Sequence, residues 1–153
     1  MFSREEKKNL NTQFFKKFQH HMSGHRSIAG GGGRWEAYKT GVKGIFFRML
    51  TFPDVGLAID LQFKDPEIRA LFYDQFEEFA KMLEGYWGKP PEFIRDIELD
   101  SGVVVSRITI VLPGAYFYDR AQWPEILNWY EEKMVAFDEF WEMAGDVIKG
   151  LAR

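Results

Sequence analysis

Seven side chains have the types and placement to do chemistry together. Glu36, Arg48 and Asp60 sit in successive segments of polar–apolar alternation, and register set by the intervening turns brings them opposite one another. Tyr38, Gln62, Lys64 and Arg107 fall close by on the same expected face. The plain outcome of such a row is a solvated carboxylate–guanidinium–carboxylate ladder, each cross-strand pair contributing about 0.2–1 kcal/mol. The functional outcome is a recognition surface, because Tyr38, Phe46 and Leu50 share that face and mixed aromatic–charged patches suit binding. A second group is His20, His21 and His25. His21 and His25 have the four-residue spacing of metal ligands on a helix, but Gly24 interrupts the helix and no acidic residue is adjacent, so no metal site is expected. Histidines near a helix C-terminus also interact favourably with its dipole. Nucleophilic catalysis has little to draw on: Ser27, Ser101 and Ser106 lack elbow glycines, and no histidine occurs beyond position 25.

The elements that must position these residues read clearly in places. Ser3-Arg4-Glu5-Glu6 is a capping box, and Leu10, Phe14, Phe15, Phe18 and Met22 follow as one stripe, predicting a helix over 3–22. Residues 23–33 hold four consecutive glycines and read as a flexible loop; a phosphate-cradling loop needs a strand before and a helix after, the reverse of the order expected here. Strands are predicted over 34–40, 44–52 and 56–64, the last alternating Leu57, Ile59, Leu61, Phe63 inward against Ala58, Asp60, Gln62, Lys64 outward. Asp65-Pro66 opens a second helix whose stripe runs from Ile68 to Tyr86. A second hairpin is expected over 92–99 and 102–112, and 115–118 could add a short edge strand. A last helix, in one piece or two, begins near Asp119 or Trp123 and runs to the end. The order α-β-β-β-α-β-β-α predicts an α+β fold: a mostly antiparallel sheet of about five strands with three helices on one face, in a single domain over 1–153.

Composition narrows the classes. The chain has 153 residues, 46% of them hydrophobic and 28% charged, as globular proteins do. The absence of cysteine excludes disulfides, thiolate metal sites and cysteine nucleophiles, and fits a reducing compartment. No apolar run of about 18 residues exists, and no apolar stretch follows Met1, so a cytoplasmic protein without membrane contact is expected. A net charge of −3 argues mildly against general nucleic-acid binding. The aromatic fraction is 17%, mostly on the buried stripes; Trp129 and Phe140 fall off the stripe of the last helix, which invites a second chain as cover.

The expected α-β-β-β-α-β order resembles the core of the PD-(D/E)xK nucleases, and Pro53-Asp54 with Gln62-Phe63-Lys64 resembles a variant of their motif. Such chemistry needs two carboxylates on one divalent cation and a lysine for the attacking water. Eight strand residues separate Asp54 from Gln62, about 26 Å, and the segment 44–52 carries no carboxylate. A nuclease-like fold, active or degenerate, therefore stands as the alternative.

Several strings, in order, carry a wider resemblance: Tyr38-Lys39-Thr40-Gly41, Phe47-Arg48-Met49, Asp65-Pro66-Glu67-Ile68-Arg69 with Leu71-Phe72, Ser106-Arg107-Ile108, Trp123-Pro124 and Phe137-Asp138-Glu139-Phe140-Trp141. Together they resemble a family of small bacterial proteins catalogued as domain of unknown function four-two-six-eight. That resemblance implies stand-alone members, and longer proteins carrying the domain behind a nuclease-like half, a context of nucleic-acid processing or defence by association. It supplies no catalytic residues. The expectation is a small binding or regulatory module without catalysis or cofactor, whose partner is another protein or a second copy of itself, nucleic acid being less favoured.

Overall fold

The computed structural model describes residues 2–152. Ser3 caps α1 (Arg4–His21) as its capping box requires: its hydroxyl accepts from the Glu6 N–H, and the Glu6 carboxylate accepts from the Ser3 N–H, both at 3.1 Å. The helix buries Phe14 and Phe18 and stops at Met22.

The next segment departs from expectation. Residues 34–40 form no strand; Trp35–Ala37 is a short 3-10 turn. Trp35 and Tyr38 are both buried, which an extended strand could not arrange because positions three apart point to opposite faces. A 3-10 turn eclipses them instead. The segment is shaped from a distance, by Asp138 and by the Trp35 Nε1–H donated to His25 O at 3.2 Å.

Among the described residues four strands therefore form the sheet, not about five: β1 (Ile45–Leu50), β2 (Gly56–Leu61), β3 (Glu92–Glu98) and β4 (Val104–Val111), in the order β1-β2-β4-β3, all antiparallel. Residues 115–118 add no strand. Phe47, Leu57, Ile59, Ile108 and Ile110 face the helices and join their core, as the alternation predicts. The other face carries Phe46, Arg48, Asp60, Arg107 and Thr109.

The described residues form four α-helices rather than three. Asp65 caps α2 (Pro66–Glu78) through the Glu67 N–H at 2.8 Å. The long second helix expected from the stripe bends at Phe79, and α3 (Ala80–Trp87) continues at a new angle. The bend turns Trp87 onto the last helix, where its Nε1–H donates to Lys133 O at 3.0 Å. Within α2, Ile68 and Leu71 are exposed while Phe72, Tyr73 and Phe76 are buried, so the stripe is rotated from the one expected. The last helix, α4 (Trp123–Leu151), is one unbroken piece of 29 residues. Phe140 is fully buried against Phe76, Phe79 and Tyr86, so this chain itself covers it. No helix among the described residues is long and apolar enough to cross a membrane.

Candidate functional site

β2 is a central strand, so its outward side chains are roofed by the longer ones of its neighbours. Asp60 accordingly has no solvent exposure although it lies on the open face. A bare carboxylate there would cost several kcal/mol in desolvation and must be paired. Arg107, directly opposite on β4, donates from Nε to Oδ1 at 2.7 Å and from Nη2 to Oδ2 at 2.8 Å, a bidentate fork. Arg48, expected directly opposite Asp60, stands opposite Ala58 instead, Phe46 taking the place across from Asp60; from that diagonal position it donates from Nη1 to Oδ2 at 2.6 Å and from Nη2 to Gln62 Oε1 at 2.9 Å. The hydrogen bond to Asp60 holds the Arg107 guanidinium above its ordinary value, against the opposing effect of burial. Arg48 also lies over the Phe46 ring at 4.6 Å, and Phe46 is 42% exposed.

Four of the seven expected residues are thus brought together: Arg48, Asp60, Gln62 and Arg107. Three are not. Glu36, expected opposite Arg48, belongs to the 3-10 turn and accepts instead from Arg34 Nε at 3.0 Å. Tyr38 lies beneath the sheet rather than above it. Its hydroxyl donates to Asp138 at 2.6 Å, and burial, then that carboxylate, push the phenol well above its ordinary range. Lys64 follows the end of β2 and is exposed, without a place in the arginine–carboxylate group.

Two arrangements escaped sequence reasoning because their partners lie about a hundred residues apart. Asp138 on α4 accepts from Ser27 Oγ, the Ile28 and Ala29 N–H groups and Tyr38 OH, at 2.6–3.0 Å. The glycine-rich segment is therefore tied down at its start. Gly30 is buried there, and a side chain at that position would meet Ser27 Oγ at 2.5 Å and the Tyr38 ring at 2.7 Å. Glu131 supplies the acidic neighbour the histidines lacked in sequence: His21 Nε2 and His25 Nε2 each donate to one of its oxygens, at 2.8 and 2.6 Å. Among the described residues no group of three His, Cys, Asp or Glu side chains is arranged to hold a metal ion.

Beside the arginine face, a groove of about 690 Å³ runs between α1 and the outer edge of β1. Thr12, Phe15, Lys16 and Gln19 form one wall, Arg34 and Glu36 the end, and Phe47–Met49 the floor.

Fold and site together define an α+β protein whose four-stranded antiparallel sheet is covered by helices on one face and bears an arginine-clamped carboxylate on the other. The chain belongs to the family described as domain of unknown function (DUF4268), whose model matches residues 10–144. No curated protein and no solved structure matches it.

Proposed function

We propose that this protein is a non-catalytic binding module that uses the open sheet face to hold an anionic group on a partner. The carrying observation is the state of the two arginines. Each guanidinium has five N–H donors, and Arg48 and Arg107 each commit two, to Asp60 and Gln62. The remaining donors sit on side chains 33% and 17% exposed, beside an exposed phenyl ring. Two cations on one carboxylate leave a net positive patch, held rigidly by a buried anchor, on a chain whose overall charge is −3. Preformed donors lose little conformational freedom on binding. The same clamp speaks against hydrolysis, since both Asp60 oxygens are occupied by guanidinium donors, and the α-β-β-β-α-β order on which the nuclease reading leaned is not the order adopted.

The test titrates citrate and inorganic phosphate while following the Arg48 and Arg107 Nε–H resonances by NMR. Saturable shifts that vanish in Arg107→Gln support the reading; unmoved resonances remove it. Incubation with Mg²⁺ and supercoiled plasmid covers the alternative, and cleavage abolished by Asp60→Asn would replace binding with catalysis.

A further inference from the structure

The β1 edge carries a second, more specific feature. Gln62 N–H donates to Gly44 O at 2.7 Å, so positions 44 and 62 form a hydrogen-bonded pair. Antiparallel alternation then turns Phe46, Arg48 and Leu50 toward β2, and Ile45, Phe47 and Met49 away from it. Ile45 confirms the phase: its N–H donates outward to Val42 O at 3.1 Å, and its carbonyl accepts outward from Thr40 Oγ1 at 2.8 Å. The next two outward residues, Phe47 and Met49, have no backbone partner among the described residues. Their N–H and C=O groups recur at two-residue spacing, about 6.8 Å.

We infer that this edge accepts an added strand: an extended, acidic segment of a partner protein, seated in the groove between β1 and α1. The backbone supplies the strand chemistry. Regular, unpaired edges are templates for a further strand, and proteins block those they do not use with bulges, prolines or charges. β3, the opposite edge, is blocked in that way, with a register shift between Ile94 and Ile97 and Asp96 at φ 50°. β1 at Phe47–Met49 has no register shift, proline or positive φ, and its one charge, Arg48, is drawn over the sheet onto Asp60 and Gln62 rather than held out along the edge.

Charge selects the occupant. From Lys7 to His21, α1 contains no acidic residue, and Lys16, Arg34 and Arg48 rim the groove. Its one acidic lining residue, Glu36, is already paired to Arg34. Glu36 Oε2 is buried, without a hydrogen-bond partner among the described residues. A second copy of the same edge would bring Lys16 and Arg48 against their own like. A nucleic acid offers no N–H/C=O repeat for Phe47 and Met49. Because side chains alternate along a strand, every second residue of the added segment lies on the open face beside Arg48 and Phe46. The inference thus deepens the binding reading and shares Arg48 with it.

The probe is a fluorescein-labelled, end-blocked peptide of eight alternating Glu and Val residues, with the Lys–Val analogue as control. Anisotropy is expected to show binding of the acidic peptide and not of the basic one, with new hydrogen-exchange protection at the Phe47 and Met49 amides. Met49→Pro removes an N–H that the sheet does not use and should weaken binding about tenfold, equivalent to about 1.4 kcal/mol. Lys16→Glu with Arg34→Glu, which leaves the strand untouched, should weaken it at least as much. Absence of binding at millimolar peptide, equal binding of the basic peptide, or no protection at Phe47 and Met49 would each overturn the inference. So would a concentration-dependent dimer abolished by Met49→Pro, or tighter binding of single-stranded DNA at the same groove. Binding lost in Arg107→Gln without any edge protection would sink strand addition while sparing the arginine face.

Discussion

Asp60→Asn tests the arginine clamp most directly. The substitution keeps the shape of the side chain but removes the negative charge that Arg48 and Arg107 share. Removing one partner from a buried ion pair typically costs about 3–5 kcal/mol, because the remaining charge is left without compensation. Here the orphans are two guanidiniums, with side chains 33% and 17% exposed, and they can lean toward water. That relief places the cost at the low end, about 3 kcal/mol. For a domain of roughly 150 residues this corresponds to a fall in melting temperature of about 6–12 °C. Urea denaturation of both proteins, followed by tryptophan fluorescence, measures it directly. The triple variant Asp60→Leu with Arg48→Met and Arg107→Met supplies the control: with all charges gone, stability should recover to about that of the parent. A loss below about 1 kcal/mol in Asp60→Asn would mean that the clamp is not an electrostatic anchor. So would a triple variant as unstable as the single one.

Three further outcomes are expected. Asp138→Asn weakens the four-donor hold on residues 27–38 and should cost about 2–3 kcal/mol, with faster proteolysis at Gly31–Gly33 as the local readout. Gly30→Ala should destabilise the same segment while leaving the arginine resonances unmoved, because its new methyl meets Ser27 and Tyr38. The hydrogen bonds from His25 and, after it, His21 hold the Glu131 carboxyl below its ordinary value of 4.5. Its stabilising contribution is therefore complete above the unfolded value and lost as pH falls through the lower folded one, so Glu131→Gln should flatten the acid limb of a stability–pH curve below about pH 4.5.

How much of this was legible in the sequence depends on how local the cause is. The Ser3 capping box, the Asp65-Pro66 start and the alternation from 56 to 61 are decided within a few residues and appear as read, although the strand expected to reach 64 ends at Leu61. The arginine group was legible in part: alternation puts Arg48 and Asp60 on one face, whereas the place of Arg107 directly opposite Asp60 comes from the pairing of β2 with β4, which no local pattern announces. Trp35-Glu36-Ala37-Tyr38 also alternates enough to suggest a strand, yet Asp138, a hundred residues on, pulls Tyr38 inward and outweighs that weak local preference. Glu36 and Tyr38 left the expected row together because the error was one of element type, which moves every side chain on the segment. The bend at Phe79 has no glycine or proline to announce it.

The edge groove was illegible for a different reason. Side-chain patterns describe faces, whereas the feature at Phe47 and Met49 is an unused row of backbone groups, which any residue but proline supplies. Losing the expected first strand is what exposes it: had 34–40 paired with β1, the edge would be filled and the sheet would present only its face. The turn at Trp35–Ala37 instead sets Glu36 at the end of a groove and leaves β1 open beside it. Arg48 then belongs to two surfaces, with its guanidinium on the face and its flanking backbone on the edge. A strand laid along Phe47–Met49 extends the sheet, so its alternate side chains continue the same face and arrive beside the donors that Asp60 leaves free. Acidic residues at every second position of a partner segment are therefore the pattern that both surfaces select at once. A partner with acidic residues in adjacent pairs would turn half of them away from Arg48.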